Sequence, residues 1–542
     1  MFKKLTSFLL ILSIITLTFC SCSGDDPINV IFPIKADPEC LDPQIAETDA
    51  AKLITGNCME GLVRLSEDGK ILPGAAEKWT VSDDGLVYTF TLRDGLAWQM
   101  LRSHKDVLGE DYENTFDPAI KAEDFVFGIK RALRPETKAQ QAYLLYCIKN
   151  AQKVNLGEAD ESTLGVEAPD DKTVVIRLSR SNPDFLRILT LPMCMPCDEA
   201  FFKATGAKYG LELKYTLCNG PFYVGKWIED GSLTLYRREG YKGFSLPTAQ
   251  AVYLYVNADE DKYISKFNAG DYNAALVSPE NLSKLKSSEE TTVLSTDNAV
   301  LSFLFNCNDS VLSNINLRRA LFCASDVSVM KSGESDSFAG GIVPNSCMWG
   351  ESSYRQSVGN INMTAYDEQK AAQYFKKALS ELDTTNVTVN IICLEQYRIP
   401  VIKVIQKWEK IFGLSLTVSV KSVEADELEK RINESDYQLA FSSLSAKDGS
   451  AAAFLNMFCS EAEGNTVNYQ NPAYDNLMKK CAETLGGDGI AAGYKSAEQL
   501  LCNDAVIYPV FVGSSYAAVN DTVGGIYGAP GFSGLSFALW GE

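Results

Sequence analysis

Histidine is nearly missing from this chain of 542 residues, in which His104 is the single example. Metal centres built from two or three imidazoles therefore have no ligand set within one chain, and a Ser-His-Asp triad has one candidate base. Positive charge is the second shortfall: 50 lysines and arginines face 70 aspartates and glutamates, for a net charge of −20. Such a surface repels polyanions, which excludes nucleic acid as a partner. Catalytic signatures are missing too. The chain has no GxSxG elbow, GxxxxGK[ST] phosphate loop, GxGxxG fingerprint, HExxH pair or EF-hand spacing, so neither a cofactor nor a metal is expected. Repeats and long linkers are also lacking.

What is present suits a multidomain globular protein, with hydrophobic residues at 46% and charged residues at 22%. The only long apolar run, Phe8 to Thr18 behind Lys3 and Lys4, has the length and flanks of an export signal, here residues 1–21, and is too short for a membrane span. The segment Leu17-Thr18-Phe19-Cys20-Ser21-Cys22 resembles a bacterial lipoprotein processing box. Small Ser21 before the sulfur favours Cys22 as the lipidated residue, with Cys20 as the alternative. Removing the signal and lipidating Cys22 leaves 13 of the 15 cysteines, an odd number that guarantees at least one unpaired thiol in a monomer. Cys194-Met195-Pro196-Cys197 has the spacing of a redox motif or half a zinc site. No second CxxC accompanies it, and the reading preferred is buried or loop thiols.

Periodicity gives mixed α and β structure. Tyr88, Phe90 and Leu92 alternate with polar neighbours between Asp84-Gly85 and Asp94-Gly95, as in a strand bounded by turns. Asn219-Gly220-Pro221 leads into Phe222-Tyr223-Val224, and Leu233-Thr234-Leu235 follows Asp230-Gly231, which predicts antiparallel sheet. Phe125, Ile129 and Leu133 fall on one helical face behind Glu123 and Asp124. Ala371, Phe375, Ala378, Leu379 and Leu382 repeat that spacing behind Thr364-x-x-Asp367, a candidate capping box. Val401, Ile405, Trp408 and Phe412 form a third stripe.

A series of stretches in fixed order resembles the family 5 extracellular solute-binding proteins, the oligopeptide-binding components of ABC importers. They are Leu41-Asp42-Pro43, residues 57–62 (NCMEGL), 75–98 (AAEKWTVSDDGLVYTFTLRDGLAW), 121–133 (KAEDFVFGIKRAL), 168–178 (APDDKTVVIRL) and 219–227 (NGPFYVGKW). Asn306, Leu317-Arg318-Arg319-Ala320, residues 453–456 (AFLN) and 471–477 continue the series. The resemblance implies an α/β fold of two lobes, periplasmic-binding-protein-like (type II), with an additional α+β domain. The first lobe is expected at 23–60, 193–298 and 516–542, the extra domain at 61–192 and the second lobe at 299–515. The implied function is an extracytoplasmic receptor, not an enzyme, that closes on a peptide or similar small polar solute and delivers it to membrane permease subunits. A lipid-anchored monomer is expected. A sensory or chaperone-like binder of the same fold is the alternative, and a secreted hydrolase the remote one.

Carried onto this chain, the ligand loop of the first lobe is Glu47, Thr48 and Asp49. The second-lobe strand expected to pair with ligand backbone is Ser443, Leu444 and Ser445. Where peptide binders of the family place a carboxylate for the ligand's amino group, this chain has Lys447, with Asp448 beside it. Lys447 suits an anionic ligand group or points to solvent, and Asp448 is the competing receptor for an amine.

Overall fold

Alternating apolar residues bury one face of a strand, and the chain uses that rule in three separate sheets. The computed structural model describes residues 28–521 except 67–68, 183, 244–246, 248, 287–289, 332–336, 350–351, 446–448, 463 and 484–487, together with Ile526, Ser536 and Phe537. Cys20, Cys22 and the signal segment lie outside the described residues, as do Lys447 and Asp448.

The first sheet has the order Asn29–Ile34, Ala251–Val256, Ser232–Arg237, Phe222–Ile228, with its first pair parallel and the others antiparallel. Its buried face, including Val30, Phe32, Leu233, Leu235, Val252 and Leu254, packs with Leu53, Ile54 and Cys58 of the helix Asp49–Cys58. The chain terminus returns to this core: Phe537 sits edge-on to Phe32, and its N–H donates to Asn57 Oδ1 at 2.8 Å.

The second sheet is antiparallel throughout, in the order Ala76–Val81, Val87–Leu92, Thr173–Arg177, Val166–Asp170. Tyr88, Phe90 and Leu92 are the buried residues of the strand Val87–Leu92, as their alternation predicts. The helix Ala122–Leu133 covers it with Phe125, Ile129 and Leu133, none of them exposed. Gly128 is required where this helix meets the Met195 backbone, since a Cβ there lies 2.3 Å from the Met195 carbonyl oxygen.

The third sheet runs Ala274–Val277, Ile507–Asn520, Thr291–Phe305, Leu439–Ser445, Val387–Cys393, Leu416–Ser422. Its two long antiparallel strands are continuous through residues 299 and 516, where lobe boundaries are expected. At one end Tyr516–Val519 pair with Ala274–Val277; towards the other Ala299–Phe305 pair with Leu439–Ser445. A 15-residue strand spans about 50 Å at about 3.4 Å per residue, enough to run from one layer of the molecule to another. Apolar clusters cover both faces of this sheet. One contains Phe303, Phe441 and Trp408; the other contains Leu304, Ala440, Leu444 and Tyr354.

One local expectation is corrected. The helix carrying Ala371, Phe375 and Ala378 starts at Glu368, so Asp367 is its N-cap rather than the third residue of a box begun by Thr364. The Asp367 carboxylate accepts from Lys370 N–H at 2.9 Å and takes the capping position itself.

Candidate functional site

Inside the third sheet, the strand Leu439–Ser445 keeps part of one edge without a strand partner among the described residues. Along its whole length it pairs with Thr291–Phe305, from Leu439 opposite Phe305 to Ser445 opposite Ala299. On its other side Val387–Cys393 reaches only as far as Phe441, which lies opposite Cys393. The neighbour stops because Leu394 turns the chain into the helix Glu395–Phe412, whose Tyr397 packs edge-on against Phe441 at 5.2 Å. Beyond that corner, no strand among the described residues pairs with the outer edge of Ser442 to Ser445. Leu444 is buried, whereas Ser443 and Ser445 are exposed on the opposite face. That edge presents a row of peptide groups held straight by the long strand behind them, the kind of edge that an added strand can pair with.

The expected first-lobe loop is built by helix capping. Thr48 Oγ1 accepts from Ala51 N–H at 3.2 Å, and exposed Asp49 lies in the first turn of the helix Asp49–Cys58. Half-buried Glu47 pairs with Lys52 at 3.3 Å. The hydroxyl of Thr48 is thus engaged as an acceptor, while the Asp49 carboxylate sits on the positive end of a helix. No hydrogen bond or ion pair among the described residues joins Glu47, Thr48 or Asp49 to Ser443, Leu444 or Ser445.

Most of the motifs turn out to be structural joints. Asp42 of Leu41-Asp42-Pro43 forms a buried ion pair with Arg131, Oδ2 to Nη2 at 2.5 Å, and Gln44 Oε1 accepts from Arg131 Nη1 at 2.6 Å. Asn219 exchanges two side-chain bonds with the Glu60 backbone at 2.9 and 2.8 Å. Asn306 donates to the carbonyls of Ser435 and Tyr437 and accepts from Asn468 Nδ2. Arg318 is buried and donates to four backbone carbonyls, those of Leu312, Ser313, Asp504 and Ala505. Each joint ties segments far apart in sequence, so each fixes the relative placement of elements rather than contacting solute.

Buried titratable groups are likewise structural. His104 is fully buried, its Nδ1 accepting from Leu101 N–H and its Nε2 donating to the Thr216 carbonyl, both at 3.2 Å. Burial pushes its pKa down to about 4, against a weaker upward pull from that carbonyl. With both nitrogens committed, His104 has none left to serve as a base. Cys194 and Cys197 are buried free thiols, and burial pushes Cys197 up to about 12, so the CxxC spacing carries no redox pair. Two buried carboxylates were not singled out from the sequence. Glu498 accepts from Ile342 and Val343 N–H, Tyr354 and Arg355. Glu60 accepts from the Tyr241 hydroxyl at 2.6 Å and is pushed up to about 7 by burial, despite Arg93, Arg64 and Arg238 nearby. Glu60 stands in the stretch NCMEGL; Glu498 lies inside an amphipathic helix and has no local signal.

Two sheet-based lobes joined by a pair of long strands, with a third sheet domain beside them, define a type II periplasmic-binding-protein-like fold. Residues 70–466 match the family model of bacterial extracellular solute-binding proteins, family 5 Middle, and the chain belongs to that family. Among curated relatives, the dipeptide-binding protein DppE of Bacillus subtilis is 26% identical over 512 residues, covering 93% of this chain and 90% of the relative. The probable deoxycholate-binding periplasmic protein YgiS of Escherichia coli is 24% identical over 505 residues, covering 90% and 89%. Among solved structures, the substrate-binding domain of an oligopeptide ABC transporter from Bacillus anthracis superposes with a TM-score of 0.75 at 24% identity, covering 95% of this chain and 99% of that one. Listeria monocytogenes OppA bound to peptide gives 0.74 at 22%, with the same coverage.

Proposed function

We propose that this protein is the peptide receptor of an ABC importer, holding its ligand in extended form against the open edge of Ser442–Ser445 while the two lobes close. The observation that carries this reading is the early stop of Val387–Cys393, which leaves four residues of a well-braced strand without a strand partner on one side among the described residues. Backbone pairing tolerates varied side chains, so such a receptor accepts peptides of many sequences. The relative named as a dipeptide binder and the peptide-bound structure support the ligand class.

Glu47, Thr48 and Asp49 supply the opposing wall from the first lobe. Lys447, just past the strand, receives an anionic group at the point where a free amine is held in other peptide binders, and Asp448 is the competing amine receptor. The domains divide as 23–60 with 193–298 and 516–542, 61–192, and 299–515. The receptor is a monomer attached to the outer face of the membrane through lipidated Cys22 and hands its ligand to the permease subunits.

Calorimetry on the soluble mature chain tests the ligand end. With free-amine and acetylated versions of one peptide, Lys447→Ala is expected to weaken the acetylated ligand roughly ten- to a hundredfold, the size of a charge-assisted bond of about 1.5–3 kcal/mol. Free-amine preference that vanishes in Asp448→Ala and survives in Lys447→Ala assigns the amine to Asp448 instead.

A further inference from the structure

Of the 13 described cysteines, Cys58 and Cys218 stand apart because the segments that carry them are bonded side by side within one apolar cluster. Cys58 closes the helix Asp49–Cys58, and Cys218 lies just before the strand Phe222–Ile228. Both are buried in the apolar cluster of the first sheet. Their segments run side by side: Gly220 N–H donates to the Cys58 carbonyl at 2.8 Å, and Asn219 is bonded twice to the Glu60 backbone. The approach is tight enough that a Cβ on Gly220 falls 2.7 Å from the Cys58 carbonyl carbon. Across this junction the two thiols lie near enough to influence each other electrostatically.

We propose that Cys58 and Cys218 are oxidised to a disulfide in the exported protein. The bond would staple the helix that begins at the Thr48 cap to the edge strand of the first sheet. It would also close a loop of about 160 residues, within which both sequence segments of the second sheet and the helix Ala122–Leu133 lie. That places a covalent clamp at the base of the whole inserted domain, where the chain leaves the first sheet and comes back.

The exchange can start from either thiol; starting from Cys218, its thiol first gives up its proton to solvent and becomes the attacking thiolate. It displaces one sulfur of an external disulfide such as oxidised glutathione, forming a mixed disulfide and releasing one glutathione thiolate, which takes up a proton. Cys58 then loses its proton to solvent and attacks the Cys218 sulfur, releasing the second glutathione. Two protein thiols lose two electrons, and one glutathione disulfide is reduced to two thiols. Because both sulfurs are buried in the finished fold, exchange belongs to folding.

The test refolds the full mature chain in a buffer of oxidised and reduced glutathione, so that it depends neither on export nor on the ligand. Free thiols are then alkylated under denaturing conditions without reductant, and peptides are mapped by mass spectrometry. The expected result is one cross-linked species joining the Cys58 and Cys218 peptides, with the other described cysteines alkylated, and Cys218 alkylated in Cys58→Ser. Alkylation of both Cys58 and Cys218 in the unmutated chain, or linkage of either to another cysteine, overturns the proposal.

Discussion

Ser514 Oγ donates to Asp297 Oδ1 at 2.7 Å across the two long strands, at the point where their register slips. Pairing is regular from Thr291 to Thr296 and resumes at Ala299, so Asp297 and Asn298 form a bulge. The bulge is filled by side chains: Asn298 Nδ2 donates to Ser515 Oγ at 2.9 Å, and Asn345 Nδ2 to Asp297 Oδ2 at 3.3 Å. A bulge interrupts the ladder and bends the strand locally, which suits the segment about which two lobes turn. Asp297 thus links both crossing strands to the loop at Asn345.

Removing either partner of that bond is expected to destabilise the chain by about 1–3 kcal/mol, because an acceptor or donor is left without its partner. Ser514→Ala, Asp297→Ala and the double variant, compared by urea denaturation, form a cycle whose coupling is expected to exceed about 0.5 kcal/mol. Additive losses would show that the two residues act separately.

The Asp42–Arg131 pair joins the segment after the first strand to the helix Ala122–Leu133, and both side chains are almost fully buried. Breaking such a pair on one side strands a charge in the interior, at a typical cost of about 3–5 kcal/mol. Arg131→Met should therefore unfold at clearly lower denaturant than the parent, while pairing it with Asp42→Leu should recover part of the loss. No recovery in the double variant would mean that Arg131 acts through its packing over Phe202, 4.0 Å from the ring centre.

Two buried groups oppose each other in pH dependence. The folded His104 pKa of about 4 lies below the unfolded value near 6.5, so the unfolded chain takes up the proton first and stability falls as pH drops from about 6.5 to 4. The folded Glu60 value of about 7 lies above its unfolded value near 4.5, so stability falls as pH rises from about 4.5 to 7, by roughly 3 kcal/mol at 1.36 kcal/mol per unit. Since His104 is the only histidine, its ring proton signals are unambiguous by NMR. They are expected to stay unchanged from pH 8 to 5, and Glu60→Gln should lose the decline between 4.5 and 7. A His104 titration centred near 6.5 would place the ring in contact with water.

Sequence reading reached the regular elements because their causes are local. Tyr88, Phe90 and Leu92 declare a strand by alternation, and Phe125, Ile129 and Leu133 declare a helix by spacing; the structure buries all six. The capping expectation at Thr364 erred in the choice among nearby polar residues, since Asp367, three positions further on, caps the helix by accepting from Lys370 N–H. Glu498 was illegible because its donors come from residues 342–355, some 150 positions away. The open edge at Ser443 was reached only through family resemblance. Nothing in the residues 439–445 announces where the neighbouring strand stops; that is decided by the turn at Leu394.

The proposed anchor is Cys22, whose sulfur follows the small residue Ser21 in the sequence. Cys22→Ala is expected to release the protein from the membrane fraction or leave it unprocessed, because two acyl chains supply the stable attachment. Membrane retention and mass unchanged in Cys22→Ala, with the defect appearing in Cys20→Ala, would move the anchor to Cys20.

Calorimetry of a bound peptide against its backbone-methylated analogues addresses pairing at Ser442–Ser445 most directly. Methylating one peptide nitrogen removes a donor and adds bulk at the ligand's edge while leaving its side chains intact. If the ligand adds a strand there, methylation at alternate nitrogens should weaken binding at least tenfold and methylation at the intervening nitrogens much less, following the alternation of strand hydrogen bonds. Equal affinity for all the analogues, or binding of a bile acid with none of the peptides, would contradict the account.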